Sequence, residues 1–179
     1  VCRFAQSWLR IGSFDILRAR GERDLIRKLS TYIAENVFDG WESLPSRVSD
    51  HQSEIPRTGI KSEIVEGPAG AEENRFARLY REIIRRNAKT LAAWQAYAFT
   101  NGVLNTDNTS IIGLSIDFGP FAFLDNFDPN YTPNHDDHTL RYSYRNQPTI
   151  IWWNLVRLGE SLGELLGAGA GVDAAEFME

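Results

Sequence analysis

From Glu22 to Phe38 apolar residues return at every fourth position: Leu25, Leu29, Ile33 and Val37, with Ile26 beside them. That spacing stacks them on one face of a helix and predicts an amphipathic α-helix over 22–38. A longer stripe runs through Phe76, Leu79, Tyr80, Ile83, Ile84, Leu91, Trp94 and Tyr97 and predicts a second helix from about Ala71 to Thr100. A third stripe, Ile151, Leu155, Leu158, Leu162 and Leu165, follows Gln147-Pro148. Proline suits a helix's first turn, so a helix over 147–167 is expected. Trp94, Trp152 and Trp153 fall in these helical segments and are expected in the core. Residues 39–71 break the pattern with Gly40, Pro45, Pro56, Gly59, Gly67, Pro68 and Gly70 among Ser and charged residues. They are expected to form a flexible insertion or linker. Residues 110–117 predict a short hairpin-like strand pair, 118–148 a long loop rich in Asp, Asn and Pro, and 167–179 a disordered tail. The fold class is mainly α with a short β-hairpin, α+β.

Composition narrows the function classes. Hydrophobic residues make up 42% of the 179, enough for a buried core and one folded domain. A formal net charge of −5 argues against a nucleic-acid surface, which needs a basic patch. Arg81, Arg85 and Arg86 have acidic residues interleaved around them and are expected on a solvated face. With Cys2 the sole cysteine, no internal disulfide framework is possible. No apolar run approaches the ~20 residues of a membrane span. The chain begins at Val1, without a targeting peptide, and reads as part of a longer protein.

The densest chemistry lies between Asn101 and Pro120. Asp107 and Asn108 precede a short apolar run, and Asp117-Phe118-Gly119 follows it. Protein kinases hold Mg²⁺ on a nucleotide with a catalytic-loop Asn and the Asp of an Asp-Phe-Gly triplet. If Asn108 takes the place of that Asn, Asn101 falls on the kinase loop's His, Gly102 on its Arg and Val103 on its catalytic Asp. The metal side is present and the usual kinase base is not. Asp107 is then the nearby carboxylate left for proton work. Taken alone, Asp-Phe-Gly is weak, and a plain hairpin with Asp and Asn capping its turns accounts for it better.

The wider sequence decides. GVLNTDN…SIIGLSIDFGPFAFLD, then NHDDHTLRYSYRNQP and Trp153-Asn154-Leu155-Val156-Arg157-Leu158, resembles the SelO/YdiU family, the selenoprotein O pseudokinases that act as protein adenylyltransferases. The opening CRFAQSWLRIGSFDILRARG resembles that family's Arg-x-Ala-x-Ser-x-x-Arg-x-Gly-x-Phe segment. The likeness covers most of 1–30 and 75–165 in the family's order. Two departures stand out: the family usually has His where Asn101 stands, and Gly-His-Phe-Glu where Gly12-Ser13-Phe14-Asp15 stands.

The resemblance implies a protein-kinase-like C-lobe over 72–166 with the start of the core in 1–38. The N-lobe, with its Gly-rich loop and phosphate-gripping Lys, and a redox Cys or selenocysteine would lie outside this chain. It implies Mg²⁺ on Asn108 and Asp117, with Asp107 as proton acceptor. Arg3 and Arg10, seven apart and on one face if that segment is helical, would bind nucleotide phosphates together with Asp117. Guanidinium forks suit phosphate oxygens. The reaction implied is transfer of AMP from ATP to Ser, Thr or Tyr hydroxyls of proteins, in mitochondria by likeness to eukaryotic members. The isolated chain is expected to be inactive. The alternative is a non-catalytic nucleotide-binding scaffold, which would not require Asp107, Asn108 and Asp117 together; a true phosphotransferase is disfavoured by Val103. Asn134-His135-Asp136-Asp137-His138 resembles a metal cluster only superficially and is expected to be structural or part of a substrate loop.

Overall fold

The computed structural model describes residues 2–45 and 74–167. Most of the expected linker and the tail from 168 lie outside those residues. Helix α1 (Ile11–Ala19) buries Ile11 and Phe14 and stops at Gly21, whose φ of +70° favours a residue without Cβ. The Gly21 and Glu22 amides donate to Arg18 O and Leu17 O, the paired bonds that close a helix and reverse the chain. Helix α2 (Arg23–Asn36) follows at once. Its buried face is Ile26, Ser30, Ile33, Ala34 and Val37, while Leu25 at the rim is 42% exposed. Trp41–Ser43 forms a single 3-10 turn, after which Leu44 packs into the core.

Helix α3 (Arg75–Ala96) buries Phe76, Leu79 and Ile83. Helix α4 (Gln147–Gly167) buries Ile151, Leu155, Leu158, Leu162 and Leu165, the expected stripe. Each such leucine contributes about 1.5–3 kcal/mol by leaving water. The two helices pack on each other, and Asn74 ties their ends: its Oδ1 accepts from Phe76 N at 2.9 Å while its Nδ2 donates to Leu165 O and Leu166 O. One side chain thus caps the start of α3 and the end of α4.

Three expectations change. Helix α3 ends at Ala96 rather than near Thr100, because Ala98 takes a φ of +55° and turns the chain into strand β1 (Phe99–Asn101). The sheet is β1 paired antiparallel with β2 (Phe121–Phe123), Phe99 opposite Phe123 and Asn101 opposite Phe121. It brackets residues 110–117 instead of lying within them. Between the strands only a single bridge, Thr109 to Ser115, closes the turn at 111–114. Finally, Trp152 and Trp153 are 64% and 41% exposed, since they fall on the helix side away from the buried stripe. Arg141 and Arg157 guanidinium groups cover the Trp153 ring. Trp94 packs against the core and meets Phe99 at 5.2 Å.

Gln147, fully buried at the start of α4, braces β1 from the side opposite β2. Its Oε1 accepts from Asn101 N at 2.9 Å and its Nε2 donates to Phe99 O at 2.9 Å. The buried face of α3 also carries Glu82, 5% exposed, bonded by Arg85 and Arg86 at 2.7 Å. Arg86 lies over Phe38. These two arginines therefore neutralise a buried carboxylate rather than only decorating a solvated face. Burial pushes the Glu82 carboxyl up, but the bonds and charges of Arg85 and Arg86 outweigh it and hold it below its ordinary value of 4.5.

Candidate functional site

The loop after β1 is shaped by asparagines. Asn105 Oδ1 accepts from Asn108 N at 3.0 Å, capping a 3-10 turn over Thr106–Asn108. Short polar side chains that bond the backbone are what such turns require. Asn108 Nδ2 donates to Val103 O at 2.9 Å. With the nitrogen so committed, its Oδ1 is the atom left to accept a ligand. Asp107, between them, is exposed.

A buried relay joins this loop to the Asp-Phe-Gly segment. Val103 N donates to Asn101 Oδ1 at 3.1 Å, Asn101 Nδ2 to Ser115 Oγ at 3.2 Å, and Ser115 Oγ to Asp117 O at 3.1 Å. Asn101 is 4% and Ser115 7% exposed, so the bond between them is buried, while those to Val103 N and Asp117 O are partly buried. From Asn108 to Asp117 the path runs through Val103, Asn101 and Ser115 without a break. The Asp117 side chain is exposed, and a Cβ placed on Gly119 would stand 3.3 Å from its Oδ2, so glycine there leaves the carboxylate unhindered.

The amino-terminal segment runs along the same loop. Arg10 bridges Ser110, Ile11 N donates to Thr109 O at 2.9 Å and Ile111 N to Leu9 O at 3.2 Å. Residues 2–10 form no helix, so Arg3 and Arg10 do not share a helical face. They reach the site separately. Arg10 stands beside the Asp107-Asn108 loop through its backbone bridge. Arg3 donates to Ser115 O at 2.7 Å and Ile116 O at 3.1 Å, and its guanidinium lies between the Trp8 and Phe118 rings. It thus holds the backbone just before Asp117 and keeps further N–H donors of its five. Asn101 was marked in the sequence only as the residue at the kinase loop's His, and no motif marks Ser115 or Gln147 as ties.

The 134–138 segment is a folded turn. Asn134 Nδ2 donates to Gly102 O, and the Asp137 carboxylate accepts from Arg141 N, Tyr142 N and Thr139 Oγ1. Its Asn134 and Asp137 side chains are thus engaged with backbone and neighbouring hydroxyl groups, and among the described residues no three His, Cys, Asp or Glu side chains gather.

A family model described as protein adenylyltransferase SelO matches residues 1–176. The chain is 48% identical over 180 residues to the mitochondrial protein adenylyltransferase SelO of Schizosaccharomyces pombe, covering all of this chain and 27% of that protein. It is 43% identical over 186 residues to the protein of the same name in Saccharomyces cerevisiae, with 95% and 27% covered. The protein nucleotidyltransferase YdiU of Pseudomonas paraeruginosa is 35% identical over 164 residues, with 92% and 28% covered. The chain therefore spans little more than a quarter of the length of these relatives.

Proposed function

The chain belongs to the SelO family, and on that premise we propose that it supplies the metal- and base-bearing part, a kinase-like C-lobe, of a protein adenylyltransferase. The relay from Asn108 through Val103, Asn101 and Ser115 to Asp117 carries this reading, because it keeps an amide oxygen and a carboxylate loop in fixed register.

An amide and a carboxylate oxygen suit Mg²⁺, which keeps waters and phosphate oxygens as its other partners. Asn108 Oδ1 and the Asp117 carboxylate would hold it. Held there, Mg²⁺ would supply positive charge to offset that of the phosphates. Arg3 fixes the backbone before Asp117 and, with Arg10, offers guanidinium N–H groups to the phosphates of ATP. Asp107 accepts the proton of an incoming Ser, Thr or Tyr hydroxyl of a protein substrate. The hydroxyl oxygen bonds the α-phosphorus, the bond from that phosphorus to the bridging oxygen breaks, and pyrophosphate leaves with that electron pair. AMP remains on the protein. The two yeast relatives are named as mitochondrial, and we place this chain's protein there by the same likeness. No helix among the described residues is long and apolar enough to cross a membrane.

The test is to incubate a full-length protein carrying this chain with α-labelled and, separately, γ-labelled ATP. Label transferred to protein from the α position alone is the expected result. Label from γ alone would make it a kinase, and none from either would leave the scaffold reading.

A further inference from the structure

We propose that Gly12 is a positioning residue for Asp107, an inference that rests on the reading of Asp107 as proton acceptor. Gly12 is the buried second residue of α1. The Ile11–Thr109 bond and the Arg10–Ser110 bridge lock the start of α1 against the strand-like exit of the Asp107 loop. That lock brings the Gly12 Cα under the Asp107 side chain. A Cβ built on Gly12 would overlap Asp107 Oδ1 and stand 3.0 Å from its Cγ and 3.3 Å from its Cα. The carboxylate therefore lies in the space that any other residue's side chain would fill.

The surroundings make this a matter of placement rather than of fold. Gly12 sits inside a helix with no positive φ of its own, where alanine is the better helix former. Asp107 is exposed on its other side, so its carboxylate can swing out to solvent when the slot closes. Glycine here sacrifices helix propensity, and what it returns is room for one carboxylate in one orientation. A proton acceptor displaced by about an ångström loses on the order of 10²-fold in rate, because reach and alignment fail together. Nucleotide and metal are held by other residues and are untouched.

The experiment uses a full-length protein carrying the chain, with Gly12→Ala, Asp107→Ala, the double variant and Ser13→Ala on the same helix. Turnover, KM for ATP, Mg²⁺-ATP affinity by calorimetry and thermal midpoint are measured for each. Gly12→Ala should lower kcat roughly 10–100-fold. Its KM and Mg²⁺-ATP affinity should stay within about threefold and its midpoint should not fall, because alanine strengthens the helix. In the Asp107→Ala background Gly12→Ala should change nothing further, since the group it displaces is gone. Ser13→Ala should behave as the parent. A crippled Asp107→Ala beside a near-parental Gly12→Ala overturns the inference alone. Parental turnover in Asp107→Ala overturns the assignment of the base itself. A Gly12→Ala midpoint lower by more than about 5 °C overturns the inference too, because Gly12 would then serve the fold.

Discussion

Asn101→Ala cuts the relay at its middle, and the structure fixes what is lost. The backbone bond from Asn101 N to Gln147 survives, as does strand pairing. The Oδ1 that takes Val103 N and the Nδ2 that reaches Ser115 Oγ disappear. Each bond contributes about 1 kcal/mol net, and a partly buried Val103 amide left without an acceptor adds about 1 kcal/mol. The expected loss is about 3 kcal/mol, or roughly 6–12 °C in melting midpoint for a chain of this size. Asn101→Asp separates the two bonds. Its carboxylate still accepts from Val103 N, but Ser115 has a single hydroxyl proton, now given to Asp117 O. Either that bond breaks or two oxygens face each other, and an ionised group is left buried at a 4%-exposed position. The aspartate variant should therefore be no more stable than the alanine one. Urea unfolding of the 179-residue chain followed by tryptophan fluorescence measures both. A loss below about 0.5 kcal/mol for Asn101→Ala, within the usual range for a surface change, would refute the relay.

Other outcomes follow from the same geometry. Asp117→Ala in a full-length protein should abolish AMP transfer and weaken Mg²⁺-ATP binding, checked by calorimetry, since it removes the charged member of the ligand pair. Asp107→Ala should lower turnover by about 10²–10⁴ while Mg²⁺-ATP affinity stays within a few-fold; an affinity collapse as deep as that of Asp117→Ala would make it a metal ligand. Glu82 has a carboxyl held below 4.5 in the fold, so its contribution is complete above that value and drains away as pH falls through the depressed one. Glu82→Gln should therefore flatten the acid limb of stability between pH 5 and pH 2 or so, read from melting midpoints. Leu158→Ala, at a fully buried position on α4, should cost about 2–5 kcal/mol in chemical unfolding.

The helices and the site were legible to different depths. Helices α2, α3 and α4 each announce themselves by a buried stripe at helical spacing, and a local period needs no knowledge of the rest of the chain. Helix α1 offers too few apolar turns, with Gly12 and Ser13 near its start. The strands β1 and β2 escaped because Phe99 pairs with Phe123 across an intervening loop, and no local pattern records a partner that distant. The same holds in the site. Asp107, Asn108 and Asp117 could be nominated because motif and order are written in sequence. The tie through Asn101 and Ser115 was not, because a buried asparagine looks like a surface one until its neighbours are known. Arg3 was marked for phosphate, and what its contacts with Ser115 O and Ile116 O show is an anchor for the backbone before Asp117.

Gln147 has a consequence for motion. By bonding Phe99 O and Asn101 N from a helix, it acts as a third strand for a ribbon that has only two. A two-stranded ribbon is marginal on its own in water, so its protection from hydrogen exchange should be borrowed from α4. When the first turn of α4 frays, the Asn101 amide is released in the same event, and amides of β1 and of residues 150–152 should exchange at matched rates. With Asn101 goes the register of Val103 and Ser115. The loop that carries Asn108 and the loop that carries Asp117 then belong to one cooperative opening unit whose latch is the amide side chain at the head of a helix.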